Sequence, residues 1–351
     1  ERTIFEDVVR HEELNQWRDE EVDLEAWSGR TARITFETTP MRRLIDLERL
    51  GAVIPMWGHP ILFPSENDAP RLSVFLISID CLRGDHVGAY GYERPTTPNI
   101  DRFANDGVVF ETALASAPET MPSHMSVFTG LVPSFHGARR WRRLSTEVPY
   151  LPEILAAQGY EVSAVVTGAF LSQAFGFERG FHTYRFFDDP RAGTAVDSAL
   201  ELIRRSKDRS QFVFLHLFDP HWPYVPPSEL IGHFGPRPSD ISELLNRVAD
   251  QNQPPRNDDE VQQVIDLYDA EILSADVEVG RFFRELQSMD LYDSSVIIVF
   301  GDHGEAFYEH SLWQHAVSVY EEMIGIPLIV KWPGNSPTGR SPSPAHQVDI
   351  L

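Results

Sequence analysis

The 351-residue chain is short of three things, and each shortage narrows what it can do. It has a single cysteine, Cys81, so neither an intrachain disulfide framework nor a cysteine-rich zinc site can be built. It has only two lysines, Lys207 and Lys331, and 30 basic residues stand against 53 acidic ones, a formal net charge of −23. Such a chain repels a nucleic-acid backbone or an anionic membrane surface, so neither is expected as a partner. An anionic substrate then needs local cations or a metal ion to hold it. No run approaches the roughly 20 apolar residues of a membrane-spanning helix. What is present is the composition of a folded domain, 42% hydrophobic and 24% charged, with room for one large α/β domain or two smaller ones. The chain opens at Glu1 and stops at Leu351 inside the stretch HQVDIL, so it is expected to be a fragment at both ends.

Two regions differ in pattern. Over residues 1–70, Ala32, Ile34 and Phe36 alternate with Arg33, Thr35 and Glu37 after a Ser-Gly turn, which is the period of a strand. The stretch AVIPMWGHPILF, broken by prolines, adds candidate edge strands. This segment resembles the end of a jelly-roll module of the carbohydrate-binding kind. From residue 72 the pattern becomes α/β. LSVFLISID is an apolar run that ends in Asp80, as in a strand buried on both faces. Further strands are expected at 161–166, 211–218, 294–300 and 326–332. Helices are expected near 99–106, 122–130, 150–158, 194–206 and 258–289. The alternation implies a doubly wound, mostly parallel sheet. Residues 226–257, rich in Pro, Asn and Asp, read as an excursion or lid.

In such a sheet, functional groups gather past the carboxyl ends of the strands. Three expected strands end in metal-capable residues: Asp80; His216, Asp219 and His221; and Asp302, His303 and Glu305. Singly, an Asp in that place often caps a helix and a His often sits satisfied in a core; their joint placement is what points to a site. Gly301 and Gly304 flank the Asp302-His303 pair and suggest close approach of backbone to an ion. The nearby His310 and His315 could add a ligand or a proton donor. In SAPETMPSHMSVFTG, Pro122 fits the first turn of a helix whose free N–H groups attract an oxyanion. Thr120 just before it is either an N-cap or a nucleophile acidified by a metal.

These segments together resemble the sulfatase branch of the alkaline phosphatase superfamily, over roughly residues 72–351. The family pattern C/S-x-P-S-R-x-x-x-x-T-G is matched by Thr120-Met121-Pro122-Ser123-His124 and Thr129-Gly130. A D-P-H-x-P-Y segment is Asp219 to Tyr224, and a late D-H-G-E segment is Asp302 to Glu305. The resemblance implies an α/β, alkaline phosphatase-like three-layer sandwich with a mostly parallel central sheet over residues 71–351, truncated at its C-terminus and preceded by the small β-rich segment. It implies that Asp80, Asp302 and His303 bind a divalent ion, Zn²⁺ or Mn²⁺ first and Ca²⁺ or Mg²⁺ next, with a second ion left open. It makes Thr120 the nucleophile, gives His221 and His315 leaving-group, substrate or second-ion roles, and sets His124 against the anion. His216 and Glu305 fall to supporting roles and Cys81, where many relatives carry an acid, to inert packing.

The departures from the pattern bear on the chemistry. Threonine cannot give the formylglycine aldehyde that sulfatases make from Cys or Ser, the motif Arg is His124, and a Lys-Trp-His segment is replaced by Thr167-Gly168-Ala169-Phe170. They favour a phosphodiesterase or phosphotransferase working through a covalent Thr120 intermediate, as in the phosphoethanolamine and phosphoglycerol transferases. The alternative is a sulfatase with unmodified Thr acting on sulfated carbohydrate; the remote one is a non-catalytic binding protein on the same fold. The expected partner is an anionic phosphate or sulfate ester, on a carbohydrate or a lipid headgroup. The resemblance leans towards the cell envelope or outside over the cytoplasm.

Overall fold

In a computed structural model of the chain, the described residues are Thr35 and residues 72–139, 142–188, 191–250 and 254–350. The β-rich segment expected over residues 1–70 lies outside them, Thr35 apart, and the description concerns the unit Ala69–Leu351.

Runs dominated by β-branched and aromatic residues form the central strands of one eight-stranded sheet, and short or mixed segments form its edges. They are β1 (Val74–Ile79), β2 (Val108–Phe110), β3 (Glu161–Thr167), β4 (Thr183–Phe187), β5 (Gln211–Leu217), β6 (Val296–Gly301), β7 (Leu328–Lys331) and β8 (Gly339–Ser341). The order is β8-β2-β7-β6-β1-β5-β3-β4. All neighbours run parallel except β7, which is antiparallel to β2 and β6.

The sheet carries an apolar layer on each face because successive side chains point opposite ways. Phe75, Ile77, Val213, Leu215, Ile297 and Val299 face one core, with α1 (Pro98–Ala104), α3 (Ala192–Arg205) and the 31-residue α4 (Asp258–Ser288) packed over them. Leu76, Val162, Ala164, Phe212, Phe214, Ile298 and Phe300 face the other, under α2 (Thr120–Thr129) and the helix Leu151–Ala157. Two such layers, at about 1.5–3 kcal/mol for each fully buried large side chain, make a three-layer sandwich. The region 226–257 holds the helix Ile241–Ala249, whose Leu244, Leu245 and Val248 join the first core.

Two local devices fix the helices against one another. Asn257 caps α4 by accepting from the Glu260 amide at 2.9 Å. Asp276, buried in the middle of α4, accepts from the Asn99 and Ile100 amides at 2.8–3.1 Å and so caps α1 from outside. Burial pushes its carboxyl up to about 6, with those amide bonds opposing the shift.

Candidate active site

Strand register sets the level of the site. Ile79 pairs with Leu217 on one side and Gly301 on the other, so Asp80, Phe218 and Asp302 leave the sheet together at its carboxyl end. The opening of α2 meets them there. Glu119, not Thr120, occupies the N-cap position and makes no side-chain cap. Thr120 is the first helical residue, buried, and its Oγ1 lies 3.3 Å from His303 Nε2. The N-cap alternative for Thr120 therefore does not describe its hydroxyl.

Other donors gather at the same nitrogen: Asp302 Oδ2 at 3.5 Å and Asp80 Oδ1 at 3.6 Å. Around one ion with bonds of roughly 2.1 Å, tetrahedral ligand atoms sit roughly 3.4 Å apart, so the observed spacings suit a shared cation. Two further facts favour one. Asp302 Oδ2 is fully buried with no hydrogen-bond partner, while Oδ1 accepts from the Cys81 and His303 amides at 3.0 and 2.7 Å. His303 Nδ1–H donates to Gly304 O at 2.9 Å, which leaves the Nε2 lone pair directed at the carboxylates. Burial and the neighbouring His315 lower His303 to about 4, so the ring is neutral at pH 7. Burial acts to raise Asp80, but the imidazoles of His221, His216 and His303 outweigh it and hold the group below the carboxylate range. Burial and the Asp80 charge push Asp302 up. The residues expected to bind an ion thus fit one chemically, and a cation there would offset the burial and repulsion that raise Asp302.

The histidines separate by environment. His221 stacks on Phe218 with centroids 4.4 Å apart and donates from Nδ1 to Trp222 O at 2.6 Å. Burial keeps it below its ordinary range. His315 donates from Nδ1 to Glu305 at 3.1 Å and lies 5.0 Å from His221 and 4.5 Å from His303, ring to ring. Burial would lower His315, but the Glu305 carboxylate overrides it and raises the group. His124 is fully buried, with Nδ1 on Thr120 O and Nε2 on Ser78 Oγ, both at 2.8 Å. Burial and His216 hold it at about 3, so it stands behind Thr120 as a neutral, bonded ring and is absent from the pocket wall. His216 Nε2 is buried without a partner, 3.5 Å from Asp80 Oδ2. His310 is outside the group: half-exposed, it stacks on Tyr320 and bonds Glu322. Asp219 accepts from the Ala192 amide at the start of α3.

A pocket of about 110 Å³ opens beside these groups, lined by Asp80, Thr120, Gly168, Ala169, Phe170, Phe218 and His221. Its aromatic wall was not evident from pattern: Phe170 stands out only within the segment that replaces Lys-Trp-His, and nothing in the sequence singles out Phe218. Gly168 has φ +89°, and a Cβ there would stand 2.8 Å from the Phe218 ring. Gly304 serves packing rather than an ion: its Cβ would meet Glu322 O at 2.1 Å. Gln347 was also missed. Its amide bonds Asp302 O, Gly301 O and Ser123 Oγ, pinning the start of α2 to the end of β6. A lone Gln near the end of the sequence carries no pattern that could reveal this.

A family model described as Sulfatase matches residues 73–351. The chain is similar to an arylsulfatase of Clostridium perfringens, 21% identical over 348 residues that cover 76% of this chain and 70% of that protein. It is similar to a Delta 4,5-hexuronate-2-O-sulfatase of Bacteroides thetaiotaomicron, 22% identical over 298 residues, 74% of this chain and 62% of that protein. The chain thus spans about two thirds of the length of these curated relatives. Among solved structures it is similar to a phosphonate monoester hydrolase of Agrobacterium radiobacter, at TM-score 0.63 and 18% identity over 80% of this chain and 72% of that one.

Proposed function

The chain belongs to the sulfatase family, a hydrolase family, and from that premise we propose that it hydrolyses a sulfate ester of a carbohydrate with Thr120 as nucleophile. The observation that carries the reading is the Thr120 hydroxyl, buried at the start of α2 and 3.3 Å from His303, beside the carboxylates of Asp80 and Asp302. The names of the curated relatives support sulfate ahead of phosphate, which reverses the order the sequence alone suggested.

Asp80, Asp302 and His303 would hold a divalent ion, which when bound supplies Lewis-acid polarisation of the ester and acidifies a nearby hydroxyl. The chain's own groups do the rest. The opening turn of α2 offers unpaired amide groups and a partial positive charge to the sulfuryl oxygens. Thr120 Oγ1, its proton released to solvent, attacks sulfur in line and forms a sulfo-threonine as the bond from sulfur to the sugar oxygen breaks. His315, whose proton Glu305 retains, protonates the departing sugar oxygen, and neutral His221 on the pocket wall orients the ester. Water then attacks the sulfo-threonine, which releases sulfate, restores the Thr120 hydroxyl and returns a proton to His315. The aromatic rings of Phe170 and Phe218 in the pocket wall suit the C–H face of a pyranose.

Two observations favour a second reading, phosphate-ester cleavage through the same residues: threonine stands where Cys or Ser would be modified, and one structural neighbour is a phosphonate monoester hydrolase. Turnover of 4-nitrophenyl sulfate, bis-4-nitrophenyl phosphate and a glucosamine sulfate separates the two. We expect the sulfates to be cleaved faster, and Thr120→Ala to lose at least ~10³-fold in kcat/KM. Faster cleavage of the phosphodiester selects the second reading, and an unimpaired Thr120→Ala removes the nucleophile from both.

A further inference from the structure

We propose that Cys81 is a ligand of the ion site, so that the centre takes a thiophilic divalent cation of the zinc class rather than a hard cation of the calcium or magnesium class. The sulfur faces polar groups. Cys81 is fully buried, yet it belongs to neither hydrophobic cluster. Its Sγ instead lies 3.4 Å from Asp80 Oδ1 and 3.5 Å from His315 Nδ1. Donor atoms of Asp80, Cys81 and His303 fall within 4.8 Å of one another, and all three residues are buried.

The backbone holds the thiol in this place. Cys81 has φ +57°, a left-handed conformation that a residue with a Cβ adopts at a cost of roughly 1–2 kcal/mol. Its amide donates to Asp302 Oδ1 at 3.0 Å, so the carboxylate that faces the ion with Oδ2 also anchors the cysteine with Oδ1. The unpartnered, fully buried Asp302 Oδ2 is an independent sign that this cluster is built around a cation. One thiolate, one imidazole and carboxylate oxygens form a mixed S, N, O donor set, which suits Zn²⁺; Ca²⁺ and Mg²⁺ take oxygen. On binding, the S–H bond is replaced by an S–metal bond and the proton passes to solvent. The inference does not depend on which ester is cleaved.

Cobalt(II) tests it, because a cobalt–thiolate bond produces a charge-transfer band in the near ultraviolet that oxygen and nitrogen ligands do not. The full chain loaded with Co²⁺ should show the band, and Zn²⁺ should abolish it where a large excess of Ca²⁺ does not. Cys81→Ser should bind cobalt without the band. Cys81→Asp, which keeps a ligand in place, should do the same and guards against a folding defect in the first variant. Bound cobalt without the band in the wild type, a band that survives either substitution, displacement by Ca²⁺ as readily as by Zn²⁺, or no cobalt uptake would each overturn the assignment.

Discussion

The tie between Glu305 and His315 decides which imidazole can carry a proton at neutral pH. Burial alone would leave His315 neutral, as it does His303 and His221; the buried carboxylate 3.1 Å away reverses the sign. Because the folded pKa of His315 lies above its ordinary 6.5, the pair stabilises the fold fully below that value and less as pH rises through the raised one. Activity that needs His315 protonated is lost over the same window. Glu305→Gln removes the negative charge, so the basic limb of the pH–rate profile should move to lower pH; an unmoved limb would assign the proton elsewhere. His315→Ala should cost ~10²-fold or more on a sugar sulfate, whose leaving oxygen needs protonation, and far less on a nitrophenyl sulfate. Rates on the two esters, measured side by side, check this.

Among the elements, long apolar runs announced themselves. β1, β3, β5, β6 and β7 fall within or close to the ranges read from sequence, as do α1 to α4, because each buries a continuous run or an amphipathic stripe. β2, β4 and β8 did not, for reasons of position. β2 and β8 have three residues each, and β4 sits at the sheet edge with mixed polarity, its Phe186 exposed. Asp80, Thr120, Asp302 and His303 could be picked out as candidates because they follow strands or open a helix, and His221 and His315 because they match positions of the family pattern. Cys81, Phe170, Phe218 and Gln347 were not, since contacts between residues far apart in sequence give them their meaning. The cap of α4 belongs to this scale. Asn257→Ala leaves the Glu260 amide only its longer 3.2 Å bond to the residue 257 carbonyl and should cost about 1 kcal/mol, read as a fall of roughly 2–4 °C in Tm.

At the scale of the whole molecule, the net charge of −23 sets the terms on which an anion arrives. Long-range repulsion acts on approach, while the ion site and α2 act only within the pocket. Raising ionic strength should therefore lower KM for a sulfate ester by screening the repulsion, until salt anions compete. Steady-state KM at about 0.01 M and about 0.15 M salt, where the screening length falls from roughly 30 Å to 8 Å, tests the sign.

His315 reaches the site on a loop in which Tyr308, His310, Ser311, Gln314 and Ala316 all have positive φ, between 53° and 73°. Each such residue costs roughly 1 kcal/mol or more against glycine. Ala316→Gly should relax the chain there, raising Tm, while His315 gains freedom and turnover drops. An enzyme built this way sits off its own stability optimum by design of that loop, so selection for heat resistance alone would be expected to erode catalysis first at these five positions, leaving the sheet and its buried carboxylates untouched.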